Sequence, residues 1–78
     1  MKKTEQQNKE YEIGYVAWGN IRRFQYINHL TDEQIAEILG VSTRTLYAYD
    51  KEPNTIKLET LQNFINETKI DITEIITL

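Results

Sequence analysis

The chain has no cysteine, one proline, three glycines, one histidine and one serine among its 78 residues. Without cysteine there is no disulfide framework, no thiolate zinc site and no thiol nucleophile. A single Ser and a single His leave little for a Ser–His–acid triad. His29 has neither a second His nor a Cys with which to share a metal. The sequence therefore reads as a non-enzyme with no cofactor. No apolar run approaches the ~18–20 residues of a membrane span, and no apolar signal segment follows Met1. The expectation is a cytoplasmic protein with no membrane partner. Excess positive charge is also missing: nine Lys and Arg face twelve Asp and Glu, for a net charge of −3. That excludes a polycation that coats nucleic acid by charge alone.

What remains is ordinary globular material, 40% hydrophobic and 27% charged. The length fits one small domain, in which helix packing or oligomerisation must replace disulfide and metal staples. Residues 1–12 are polar, balance three Lys against three Glu and lack apolar periodicity. They are expected to form a flexible arm or a frayed helix start, with Lys2 and Lys3 in its tail, leaving 13–78 as the folded domain. From there Ile13, Ala17, Ile21 and Phe24 recur at helical spacing, flanked by Val16 and Trp18. Gly14 and Gly19 weaken the start of that helix by roughly 1 kcal/mol each.

A second helix has sharper ends. Thr31 and Gln34 form a capping box, Asp32 and Glu33 sit in the first turn, and Ile35, Ile38 and Leu39 make the apolar face. Gly40 is placed to end it in the left-handed conformation. Ser42 then caps a third helix from Thr43 to about Asp50, with Leu46 and Tyr49 inward. Two helices joined by about three residues around a Gly have the sequence form of a helix-turn-helix. Ala36 supplies the small side chain such a corner needs. Residues 51–57 are a connector broken by Pro53. Leu58, Leu61, Phe64 and Ile65 mark a fourth helix, and a short fifth starts at Asp71 or Thr73 with Ile72, Ile75, Ile76 and Leu78. The fold class expected is all-α, five helices around one core.

The run Leu30-Thr31-Asp32-Glu33-Gln34-Ile35-Ala36-Glu37-Ile38-Leu39-Gly40-Val41-Ser42 closely resembles the helix-turn-helix of the Cro/C1 repressor-like, or XRE, family. Leu58-Glu59-Thr60-Leu61 and Ile72-Thr73-Glu74-Ile75-Ile76 are similar to its fourth and fifth helices, and Ile21-Arg22 with Phe24 to its first. The resemblance implies a five-helix lambda-repressor-like bundle and transcriptional control by binding double-stranded operator DNA as a homodimer. A small regulator of the phage or mobile-element type is the expected form. Asp32 departs from the family, whose members commonly carry Gln there, and an acid at that position repels phosphate. Thr68 and Lys69 stand where a Leu-Gly pair usually closes the fourth helix.

In such a domain the third helix lies in the major groove. Counted from Ser42, its outward stripe is Thr43, Arg44, Tyr47, Ala48 and Lys51. Arg44 can pair bidentately with guanine O6 and N7. Thr43 can bond a base edge or touch a thymine methyl, Ala48 lets the helix seat deeply, and Tyr47 can reach a phosphate or a thymine methyl. Arg22, Arg23, Lys51 and Lys57 are candidates for the flanking backbone. Charge by segment fits this arrangement: residues 13–30 carry +2 and 42–57 carry +1, while 31–41 and 58–78 carry −3 each. The runner-up reading is a protein-binding helix-turn-helix module, such as an anti-CRISPR or other phage-encoded inhibitor of a host protein. The acidic balance and the isoleucine-rich C-terminal segment motivate it.

Overall fold

A computed structural model of the protein describes residues 12–78. Most of the expected N-terminal arm, including Lys2 and Lys3, lies outside the described residues. Among the described residues the fold is an all-α bundle of five α-helices: α1 (Ile13–Ile27), α2 (Asp32–Leu39), α3 (Thr43–Lys51), α4 (Leu58–Thr68) and α5 (Ile72–Ile75). A single 3-10 turn, Pro53–Thr55, separates α3 from α4. No helix among the described residues is long and apolar enough to cross a membrane.

The helix ends follow local chemistry. Thr31 Oγ1 accepts from the Gln34 amide at 3.1 Å while Gln34 Oε1 accepts from the Thr31 amide at 2.8 Å, completing the capping box. Gly40 adopts φ +73°, and the Val41 and Gly40 amides return to the carbonyls of Ala36 and Glu37 in a Schellman ending. Ser42 Oγ and Asp71 Oδ1 cap α3 and α5 by accepting from the amides of Thr45 and Thr73. His29 (φ 57°) and Lys69 (φ 63°) end α1 and α4 in the same left-handed region, although neither is Gly. Glu12 provides the N-cap backbone of α1, its carbonyl accepting from the Val16 amide at 3.2 Å.

The core is continuous through all five helices. Ala17, Trp18 and Ile21 meet Ile35, Leu39, Leu46, Tyr49, Leu61, Phe64 and Ile75. Each fully buried large side chain contributes about 1.5–3 kcal/mol. Trp18 stacks edge-to-face on Tyr49 with centroids 5.2 Å apart, and Phe24 does the same with Phe64. The Tyr49 hydroxyl is satisfied inside the core by Thr60 Oγ1 at 3.1 Å.

Two apolar positions face away from where periodicity puts them. Ile13 is 64% exposed and Leu58 is 83% exposed. In α1 the inward row is Gly14, Ala17, Trp18, Ile21 and Gln25. The row is shifted because α1 packs on the Pro53–Thr55 turn at Gly14. A Cβ there would stand 2.6 Å from the Asn54 Cα and 2.8 Å from the Pro53 carbonyl, so only Gly allows the approach. In α4 the buried positions are Thr60, Leu61 and Phe64, which leaves Leu58 outside at the first residue of the helix.

The two α1 glycines should therefore respond oppositely to alanine. A Cβ at Gly19 would meet nothing within 4 Å, so Gly19→Ala should raise stability by about 1 kcal/mol through helix propensity. Gly14→Ala should lower it by more than that, because backbone must move. Denaturant midpoints of the two variants check this, and equal shifts of the same sign would contradict the packing.

Candidate nucleic-acid interface

Outside the core, one guanidinium links α1 to both helices of the helix-turn-helix. Arg22 reaches from α1 to the first residue of α2 and the penultimate residue of α3. Its NH1 donates to Asp32 Oδ1 at 2.9 Å. Its NH2 and Nε donate to the two Asp50 oxygens at 2.7 and 3.1 Å, a bidentate pair. NH1 also donates to Gln25 Oε1. Trp18 adds its indole Nε1–H to Asp50 Oδ1 at 2.7 Å, and its ring centroid lies 5.5 Å below the Arg22 Cζ.

Gln25 completes the arrangement. It is a buried polar residue on the inward face of α1, and its amide donates to Asp32 Oδ1 at 2.9 Å and to the Leu30 carbonyl at 3.2 Å. The second Asp32 oxygen accepts from the Tyr47 hydroxyl at 2.9 Å. Both oxygens of the acid expected to repel phosphate are thus occupied by donors from inside the chain. Donation by Gln25, then Arg22, then Tyr47 holds the Asp32 carboxyl down to about 2. Arg22 likewise lowers Asp50, and Asp50 raises Arg22. Asp32 in turn raises the Tyr47 phenol.

On α3, Arg44, Tyr47, Ala48 and Lys51 form the exposed row, Ser42 is exposed at the cap, and Thr43 is half-buried. Leu46 and Tyr49 seat the opposite side of α3 in the core. The structure thus brings together six of the expected contact residues, Ser42, Thr43, Arg44, Tyr47, Ala48 and Lys51, along one helix. Lys57 joins them from the start of α4. It lines a cleft of about 330 Å³ with Ser42, Thr45 and Asn63, where α4 begins without a side-chain cap. Arg44, Lys51 and Lys57 make no ion pair with another residue among those described.

The two α1 arginines part company. Arg22 donates into the Asp32–Asp50 clamp just described. Arg23 lines a groove of about 190 Å³ between α1 and α5 with Asn20, Phe24, Ile27, Glu74 and Ile75, and no α3 residue lines it. Along that groove Asn20 Nδ2 donates to the Ile75 carbonyl at the end of α5 and to the Thr77 carbonyl just beyond it, the latter at 3.0 Å. Sequence reasoning passed over Trp18, Gln25 and Asp50 as members of this site. Gln25 carried a usable signal, a polar side chain four residues after Ile21 on the inward face.

Acid stability checks the clamp. The Asp32 carboxyl is more acidic folded than unfolded, where it titrates near ~4. Its stabilisation is therefore complete above about pH 4 and lost as pH falls through about 2. Melting temperature should decline across that window, and Asp32→Asn should flatten part of the decline while Asp50 and the α5 cap Asp71, both also lowered, supply the rest. Parallel profiles for wild type and Asp32→Asn would contradict the assignment.

Comparison with protein-family models, with curated proteins and with solved structures gives no match for this chain.

Proposed function

We propose that the domain binds double-stranded DNA through α3 seated in the major groove, and acts in the cytoplasm as a small sequence-specific transcriptional regulator. The observation that carries this reading is the exposed row Arg44, Tyr47, Ala48 and Lys51 on a helix whose other side is locked in the core. A rigid helix presenting one Arg, one aromatic and one small side chain suits base-edge recognition. Lys51 closes that row and Lys57 lies beside its Ser42 end, and both fit the phosphate backbone. The amides opening α2 and α4 can add neutral phosphate contacts.

In this reading Arg22 works indirectly, by fixing the angle between α1 and the helix-turn-helix. Neutralisation of Asp32 by Arg22 reduces the repulsion that an acid at the start of α2 would otherwise exert on a phosphate. The exposed Ile72, Ile76 and Leu78 on and after α5 fit burial against a second copy, giving a homodimer on a two-fold site. The same apolar residues, beside the acid of α4 and α5, support the second reading, a module that binds and inhibits a host protein.

Selection from a random DNA pool at low salt separates the two. Enrichment of a defined site is the expected result, and recovery of no preferred sequence would favour the protein-binding reading. On the enriched site, Arg44→Ala should cost ~1–3 kcal/mol and relax preference at one base pair. Lys51→Ala and Lys57→Ala should weaken binding to all sequences alike and reduce the salt slope by about 1 each. Binding by Arg44→Ala equal to wild type on both the selected and a scrambled site would remove Arg44 from the recognition surface.

A further inference from the structure

Tyr47 sits in the middle of the exposed α3 row, yet its hydroxyl is turned back toward α2. The ring is 47% exposed, and Oη donates to Asp32 Oδ2 at 2.9 Å. A phenol has one hydrogen to give, and an ionised carboxylate can only accept. The Asp32 carboxylate is itself fixed from the other side, Oδ1 receiving Arg22 NH1 and Gln25 Nε2, each at 2.9 Å. Gln25 is in turn anchored on the Leu30 carbonyl, and Arg22 on Asp50. Asp32 is the first residue of a helix whose start is pinned by the Thr31–Gln34 capping box. The direction of Oδ2, and with it the direction of the Tyr47 hydrogen, is set by residues of α1, α2 and α3 together.

With its hydrogen held by Asp32, Tyr47 Oη presents only lone pairs outward. A phosphate oxygen has no hydrogen to offer those lone pairs. In the major groove the donors are the N6 amino group of adenine and the N4 amino group of cytosine. We infer that Asp32 is a positioning residue that fixes the hydrogen-bond polarity of Tyr47, so that Tyr47 Oη reads the exocyclic amino group of adenine or cytosine rather than a phosphate. This assignment rests on the DNA-binding reading above. It differs from simple charge repulsion, under which neutralising Asp32 would tighten binding without changing which base is chosen.

Asp32→Asn tests the polarity directly. Its carbonyl oxygen stays with the two donors, Arg22 and Gln25, which leaves the amide NH2 facing Tyr47. That NH2 donates to Oη, the phenolic hydrogen swings outward, and Tyr47 becomes a donor. Random-pool selections with wild type, Asp32→Asn, Tyr47→Phe and the double variant give the readout. Wild type should favour adenine or cytosine at one contacted position by roughly tenfold. Tyr47→Phe should flatten that position, Asp32→Asn should shift it toward guanine or thymine, and in the Tyr47→Phe background Asp32→Asn should change nothing further there. The coupling also has a DNA-free signature. The Tyr47 phenol, raised mainly by Asp32 with Glu33 adding and Arg22 opposing, should titrate lower in Asp32→Asn when followed by NMR.

An unchanged Tyr47 titration in Asp32→Asn would overturn the assignment. So would a base preference that survives both single variants. A Tyr47→Phe protein that retains the adenine or cytosine preference overturns it even if Asp32→Asn does not fold. Wild-type protein that enriches no sequence overturns the DNA-binding reading and this assignment with it. Enrichment by wild type that neither variant alters overturns this assignment alone.

Discussion

Arg22 is the point at which α1, α2 and α3 meet, and the geometry of the exposed α3 row depends on it. Its guanidinium joins the first residue of α2 to the penultimate residue of α3, Asp32 to Asp50. Asp32 is well placed at the positive end of α2, whereas Asp50 lies at the negative end of α3, where a carboxylate is disfavoured without a cation beside it. Arg22 supplies that cation. The three side chains are 27–40% accessible, so the pairs lie in partly wet surroundings. Exposed ion pairs contribute about 0–1 kcal/mol each, so the greater part of the stability comes from the apolar core. What the clamp adds is direction: the bidentate contact to Asp50 and the indole beneath the guanidinium reinforce the orientation in which Leu46 and Tyr49 pack α3 on α1.

Much of this was legible in the sequence wherever the deciding chemistry is local. The Thr31–Gln34 capping box, the Gly40 turn, the Ser42 cap and the inward Leu46 and Tyr49 all involve residues within five positions of one another. Places where tertiary contact decides were not legible. Ile13 belongs to a convincing apolar period, yet Gly14 faces inward, because the Pro53–Thr55 turn packs there and leaves no space for a side chain. Leu58 has the same apparent period but opens its helix beyond the edge of the core. Arg22 reads as a phosphate contact from its charge, but its partners lie 10 and 28 positions away. Asp32 reads as a repulsive acid because nothing in its neighbourhood announces that Arg22, Gln25 and Tyr47 converge on it.

The overall negative charge takes on a narrower meaning once these positions are known. Asp32 and Asp50 are paired with Arg22, and the cluster carries one net negative charge instead of two. Arg44 and Lys51 in the α3 row, and Lys57 beside it, remain outside the cluster. A reading surface of this kind has few cations for non-specific adhesion. In the proposed DNA-binding role, shape and a small number of directed hydrogen bonds must contribute more than bulk attraction, and such a domain should discriminate better than it adheres.

In the proposed function the outward side of α3 is the surface that meets DNA. The most direct measurement is an amide and arginine side-chain NMR titration of the labelled protein with a selected duplex. Shifts are expected to concentrate on Ser42–Lys51, the Arg44 guanidinium, and the amides opening α2 and α4. Shifts confined to the α1–α5 groove, or none on α3 at saturation, would contradict it.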